Sequence, residues 1–183
     1  LDPRTFDIIG TYKFRDASVL AHMNTLTYNP DTNLLYTTNA MVNGHRITTI
    51  DADTMSIGNT ITIPERVFNL AYDKKTNQFI SIVPIDATMR RINYYNSQFQ
   101  LIRSKDIDAH HDDYNNNGAF ANDGKTIFAT LSTVVTVDKT GNVTKISSFP
   151  KNLEIEDMDM RHNIMYAAVN SNHKVFIYSM LNY

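Results

Sequence analysis

"AHMNTLTYNPDTNLLYTTNA", residues 21–40, holds two β-type runs around a polar Asn-Pro-Asp turn. Thr, Tyr and Leu suit a half-buried pleated strand, whereas Asn29, Pro30 and Asp31 suit a tight reversal. One hairpin would say little, but this one recurs. Tyr28-Asn29-Pro30-Asp31-Thr32-Asn33 returns 44 residues later as Tyr72-Asp73-Lys74-Lys75-Thr76-Asn77. Shorter versions follow at Ala121-Asn122-Asp123-Gly124-Lys125 and at Met160-Arg161-His162-Asn163. After each turn comes an apolar strand: 34–37, 78–83, 126–131 and 164–169. A third strand then recurs at 46–51, 91–95, 134–138 and 174–179, and a fourth at 58–63, 101–107 and 143–149.

A period of about 40–48 residues with four short antiparallel strands per copy is the signature of β-propeller blades. The expectation is an all-β chain forming one small β-propeller domain over residues 1–183, with blades at 21–63, 65–108, 109–149 and 150–183. The last copy lacks an outer strand, and Asp7–Phe14 (DIIGTYKF) is expected to supply it. Closing the ring in this way would hide sheet edges that otherwise invite aggregation. A five-bladed ring would need further sequence. A non-propeller β-sandwich is the alternative fold, since the copies have diverged.

Composition narrows the function. Net charge is −2 with scattered Lys and Arg, which argues against a surface that neutralises nucleic-acid phosphates. No apolar run is as long as a membrane-spanning helix. Cysteine is absent, which removes disulfides, zinc-thiolate sites and thiol nucleophiles. The chain begins at Leu1, not Met, and is expected to be part of a longer protein.

The run His22-Met23-Asn24-Thr25-Leu26-Thr27-Tyr28-Asn29-Pro30, with Asp31-Thr32-Asn33 and Leu35-Tyr36 after it, resembles a blade pattern known elsewhere. It is similar to the propeller modules of tail receptor-binding proteins (tail-fibre or baseplate) of phages infecting Gram-positive bacteria, staphylococci above all. Ile50-Asp51-Ala52-Asp53-Thr54-Met55 matches the I-D-x-x-T-M turn of such blades. The likeness is close in the first blade and looser beyond it. It implies a non-catalytic host-attachment or scaffold module in the virion tail, outside the host cell. The implied partners are a cell-wall glycopolymer such as teichoic acid, other tail-protein domains and two further copies in a homotrimer. Those modules are often five-bladed, so four copies here is a departure.

In a propeller the innermost strand of each blade lines the central channel, and the loops leading into it open on one face. Aligning the copies sets His22 and Asn24 opposite Arg66 and Phe68, and opposite Glu154 and Glu156. Such a channel mouth could hydrogen-bond sugar hydroxyls, with Arg66 taking a phosphate. It could equally be an internally neutralised polar ring around a wet channel. Asp113-x-Asn115-x-Asn117-Gly118 matches the first half of a calcium loop, and Ca2+ is the cofactor it would take. Its twelfth position is Gly124 in place of the bidentate Glu, so a polar inter-blade loop is the plainer reading.

An enzyme would be a hydrolase or lyase acting on a polysaccharide or small ester. It would rest on Glu154 and Glu156, two same-face carboxylates about 7 Å apart on a regular strand. No nucleophile elbow, P-loop, H-E-x-x-H or dinucleotide fingerprint accompanies them. A bacterial surface propeller with a protein partner is the third reading. Tyr94, Tyr95 and Phe99, and Tyr12 with Phe14, could stack on sugars or pack between blades. The methionines read as core filling, and Arg90-Arg91 as a turn cap at the rim.

Overall fold

The computed structural model describes residues 5, 7–14, 20, 23–39, 45–108, 116–122, 125–130, 133–148, 154–161, 164–171 and 174–181, several strands after residue 115 through their backbone only. Four antiparallel sheets follow one another along the chain. The first runs β1 (Met23–Asn29), β2 (Leu34–Asn39), β3 (Arg46–Asp51) and β4 (Ile57–Thr62). The second runs β5 (Ala71–Asp73), β6 (Gln78–Pro84), β7 (Met89–Tyr95) and β8 (Leu101–Asp108). The third runs β9 (Asn116–Asn122), β10 (Lys125–Thr130), β11 (Thr133–Val137) and β12 (Val143–Ser148). The fourth has three strands, β13 (Glu154–Arg161), β14 (Ile164–Ser171) and β15 (Lys174–Leu181). Each sheet is a meander in sequence order, matching the expected copies strand for strand.

Local turn chemistry explains the repetition. At the end of β1 and of β5, an Asn or Asp side chain accepts the N–H two residues on: Asn29 from Asp31 at 2.9 Å, Asp73 from Lys75 at 3.1 Å. Both hairpins then need one left-handed residue, which is Asn33 (φ 55°) in the first and Asn77 (φ 52°) in the second. The Tyr28 and Tyr72 hydroxyls donate to those asparagines at 2.9 and 3.0 Å. The turn between third and fourth strands repeats as well, opening on Asp51, Asn96 and Asp138. Met55, Phe99 and Gly141 have positive φ there, and their N–H groups return to the carbonyls of those three residues. Gly141 fits doubly, because a Cβ would come within 2.9 Å of Lys105 Cδ.

The second sheet lies between the first and the third and is apolar on both faces. Phe79 pairs with Tyr95, and Ile80 with Tyr94. Adjacent residues point to opposite faces, so Phe79 and Tyr95 pack with Tyr36, Ile47 and Tyr72, whereas Ile80 and Tyr94 pack with Phe128, Val135 and Val137. Phe79 is the hub of the first cluster, with ring centroids 4.4 Å from Phe99, 4.7 Å from Tyr36 and 5.0 Å from Tyr72. This double burial corrects the sugar-stacking option for Tyr94, Tyr95 and Phe99, all buried. Tyr94 instead lies under the Arg103 guanidinium at 3.4 Å, and Arg103 reaches on to the Lys139 carbonyl of the third sheet.

The Arg90-Arg91 pair divides by face. Arg90 is fully buried and donates from Nη1 to the carbonyls of Asp86 and Met89 at 2.8 and 3.0 Å, capping the turn from within. Arg91 faces solvent in a bidentate pair with Asp106 at 2.6 and 2.9 Å. Of the methionines, Met158 and Met165 are buried, but Met23 is about half exposed.

The N-terminal expectation needs correcting. Residues 7–14 form no strand, and β15 pairs with β14 alone among the described residues. Ile8 and Ile9 are 74% and 75% exposed, and Tyr12 packs edge-on against Phe14. The segment has the β-propensity of an outer strand, but propensity without a ladder partner does not make one.

Candidate functional site

The first strands of the four sheets lie against one another, β1 touching β5, β9 and β13. Three of them are bulged at the same place. Ladder pairing breaks between Met23 and Leu26 in β1, around Asn117 in β9, and between Ile155 and Asp157 in β13. The second sheet has no regular ladder there, since β5 begins only at Ala71. A bulge adds an unpaired residue and re-aims its side chain, and bulges concentrate at functional rims. Asn24, Asn117 and Glu156 occupy these positions.

Asn24 is the most informative of them. It is partly buried, and its Oδ1 is shielded from solvent with no hydrogen-bond partner among the described residues. Buried side-chain oxygens are rarely left unsatisfied, so this one is an acceptor awaiting a donor. Arg66 is exposed and lies over the Phe68 ring, 4.7 Å from its centroid, which fixes the guanidinium on an aromatic ledge. Glu156 is partly buried at the β13 bulge. The same bulge corrects the Glu154–Glu156 argument: alternation fails across an inserted residue, so a spacing of two no longer implies one face. The Glu154 side chain, His22, Asp113, Asn115 and the Asn117 side chain lie outside the described residues. Among the described residues no cluster of His, Asp and Glu is arranged to hold a metal.

At the next position along, the aligned residues Thr25, Asn69 and Asp157 tie the structure together. The Thr25 hydroxyl donates to the Leu70 carbonyl of the second sheet at 3.4 Å. Asn69 brackets Ile82 of its own sheet, accepting from the N–H at 2.9 Å and donating to the carbonyl at 3.3 Å. Asp157 accepts the Leu26 N–H at 3.2 Å and the Met158 N–H at 2.9 Å, linking the fourth sheet to the first across 131 residues. Burial pushes its carboxyl up to about 7, the two N–H donors pull the other way, and the Asp159 charge adds to the rise. Sequence reading missed Asp157. The acidic run Glu154-Ile155-Glu156-Asp157-Met158-Asp159 was visible, but which member turns inward depends on the bulge.

The remaining perturbed carboxylates are structural. Asp51, Asp86 and Asp138 are turn residues held below the usual carboxylate range by hydrogen bonds from Thr54, from Met89 and Thr88, and from Thr140 and Asn142. Asp31 shares the single Tyr72 hydroxyl proton with Asn77, each oxygen 3.0 Å away, and desolvation with the Asp31 contact pushes the Tyr72 phenol up to about 12.

No protein-family model matches the chain, and no curated protein matches its sequence. Solved structures do match its shape. The computationally designed Ika4 protein is 14% identical with a TM-score of 0.53, covering 87% of this chain and 91% of that one. A chain of Kuenenia stuttgartiensis hydrazine synthase is 15% identical with a TM-score of 0.56, covering 94% of this chain and 49% of that one. The Neurospora crassa Pan2 WD40 domain is 11% identical with a TM-score of 0.52, covering 81% and 44%. The chain thus spans about half the length of these two natural structures. WD40 domains are propellers of four-stranded blades, and at these identities the likeness establishes the fold alone: this chain has a β-propeller fold.

Proposed function

We propose that this domain is a non-catalytic host-attachment or scaffold module of a phage tail receptor-binding protein. Its four sheets are the blades of one ring, and the Leu26–Asp157 hydrogen bond supports closure between first and last. The end at which the inner strands begin contacts a Gram-positive cell-wall glycopolymer of the teichoic-acid type, or holds the neighbouring tail domain that does. The module works in the virion tail, outside the host, within a homotrimer.

The blade pattern of residues 22–36 and 50–55 supports the phage reading. The observation that carries the contact is Asn24, whose shielded Oδ1 at a strand bulge has no donor among the described residues. A polyol or sugar hydroxyl is the donor such an acceptor takes. Arg66 on its Phe68 ledge offers a cation to a backbone phosphate of the same polymer.

The test is co-sedimentation of purified domain with isolated staphylococcal cell walls, before and after chemical removal of teichoic acid. Binding that is lost on stripping and weakened in Asn24→Ala supports the reading; equal binding to stripped walls overturns it.

A further inference from the structure

At the same end of the first sheet is a cleft of about 470 Å³ lined by His45, Arg46, Thr62, Ile63 and Pro64. Its floor is rigid. Arg46 and Thr62 are cross-strand partners at the ends of β3 and β4. Just beyond them the Ile63 N–H donates to the His45 carbonyl at 2.8 Å, and the Ile63 side chain is buried in the aromatic cluster. The polar groups above that floor are uncommitted. His45 Nδ1 is shielded from solvent and has no hydrogen-bond partner among the described residues. Arg46 is exposed and has no carboxylate partner among the described residues. The acid nearest in sequence, Glu65, is engaged by the Tyr95 hydroxyl at 3.4 Å. Thr62, also exposed, adds a hydroxyl.

We propose that this cleft is a phosphate-binding subsite, taking one phosphomonoester or phosphodiester group between the Arg46 guanidinium and His45 Nδ1, with Thr62 as a further donor. The guanidinium supplies charge and a fixed donor fork. The imidazole lines the same cleft, and a rotation of its ring brings the shielded Nδ1 out as a directed donor to the anion. The inference deepens the attachment reading and rests on it for the source of the phosphate, a repeating phosphodiester polymer. The phosphate site itself is testable without that source.

The experiment follows the His45 side-chain nitrogens by long-range 1H–15N NMR while inorganic phosphate, glycerol 3-phosphate or neutral glycerol is added. The expected result is a saturable shift of His45 in the millimolar range with either phosphate and none with glycerol. Arg46→Gln, an exposed substitution that leaves the fold intact, should weaken it about tenfold. Lys74→Gln, at a distant turn, should not. No saturable shift, or the same affinity in Arg46→Gln, overturns the proposal. Parallel wall co-sedimentation separates the two readings. Walls that bind wild type and Arg46→Gln equally refute the cleft and leave attachment standing. Phosphate binding at His45 without wall binding refutes attachment and supports the cleft.

Discussion

Replacing Asp157 by Asn should make the protein more stable at pH 8 and remove most of its pH dependence between about pH 4 and 8. Burial raises the folded-state carboxyl from 3.8 to about 7, so the folded protein binds a proton more tightly than the unfolded chain does. Stability from this group is therefore fully present below pH 3.8 and is lost as pH rises through 7. A rise of about three units corresponds to at most about 4 kcal/mol at about 1.4 kcal/mol per unit. Asp157 is only partly buried, so solvent reduces this to roughly 2 kcal/mol. The asparagine keeps one acceptor, enough for the Leu26 N–H and the link between sheets, while the Met158 N–H loses its partner at a cost of about 1 kcal/mol. A net gain of about 1 kcal/mol shifts the melting temperature of a chain this size by roughly 2–4 °C. Thermal melts of both proteins at pH 4.5, 6 and 8 provide the assay, and the difference between them cancels every other titrating group. The curves should lie closest at pH 4.5 and diverge toward pH 8, with the variant higher. A variant less stable than wild type at pH 8 would mean that the ionised carboxylate stabilises the junction, which would refute the reasoning.

Three further outcomes follow from the packing. Phe79→Ala, at the hub of the aromatic cluster, should cost about 3–5 kcal/mol in urea denaturation; a loss under 1 kcal/mol would mean that the first two sheets do not pack as described. The two adjacent arginines should behave oppositely: Arg91→Ala breaks a surface pair worth less than about 1 kcal/mol. Arg90→Ala uncaps buried carbonyls and should cost roughly 2–4 kcal/mol. Deleting residues 1–14 should leave the melting temperature within about 2 °C, because residues 7–13 are exposed and join no sheet, and changes to such groups usually have little effect on stability. A large drop would show that this segment serves as an outer strand in solution.

The fold was legible in the sequence because its determinants are local. Asn29 and Asp73 open the same turn, Asn33 and Asn77 take the same left-handed conformation, and Tyr28 and Tyr72 make the same hydrogen bond. Each is written within six residues. The site was less legible because its geometry is set between sheets. A one-residue bulge decides which of Glu156 and Asp157 turns inward, and no local pattern marks it. Tyr94 and Tyr95 look like surface aromatics until a sheet is found on either side. Asp7–Phe14 has the composition of a strand, and only the absence of a pairing partner distinguishes it from one. Asn24 could be aligned with the bulged positions because counting back from the turn reaches it even through the irregularity.

The channel mouth exists only if the first and last sheets meet, and amide hydrogen exchange at Leu26 tests that contact most directly. Its N–H lies at the edge of a ladder break and points to Asp157 of the fourth sheet. A joined ring should slow Leu26 exchange far below the random-coil rate, and Asp157→Ala should restore fast exchange at Leu26 while Tyr36 and Ile50, in the central strands β2 and β3, stay protected. Fast exchange at Leu26 in the wild-type protein would mean that the two sheets are apart, contradicting the ring and the binding face built on it.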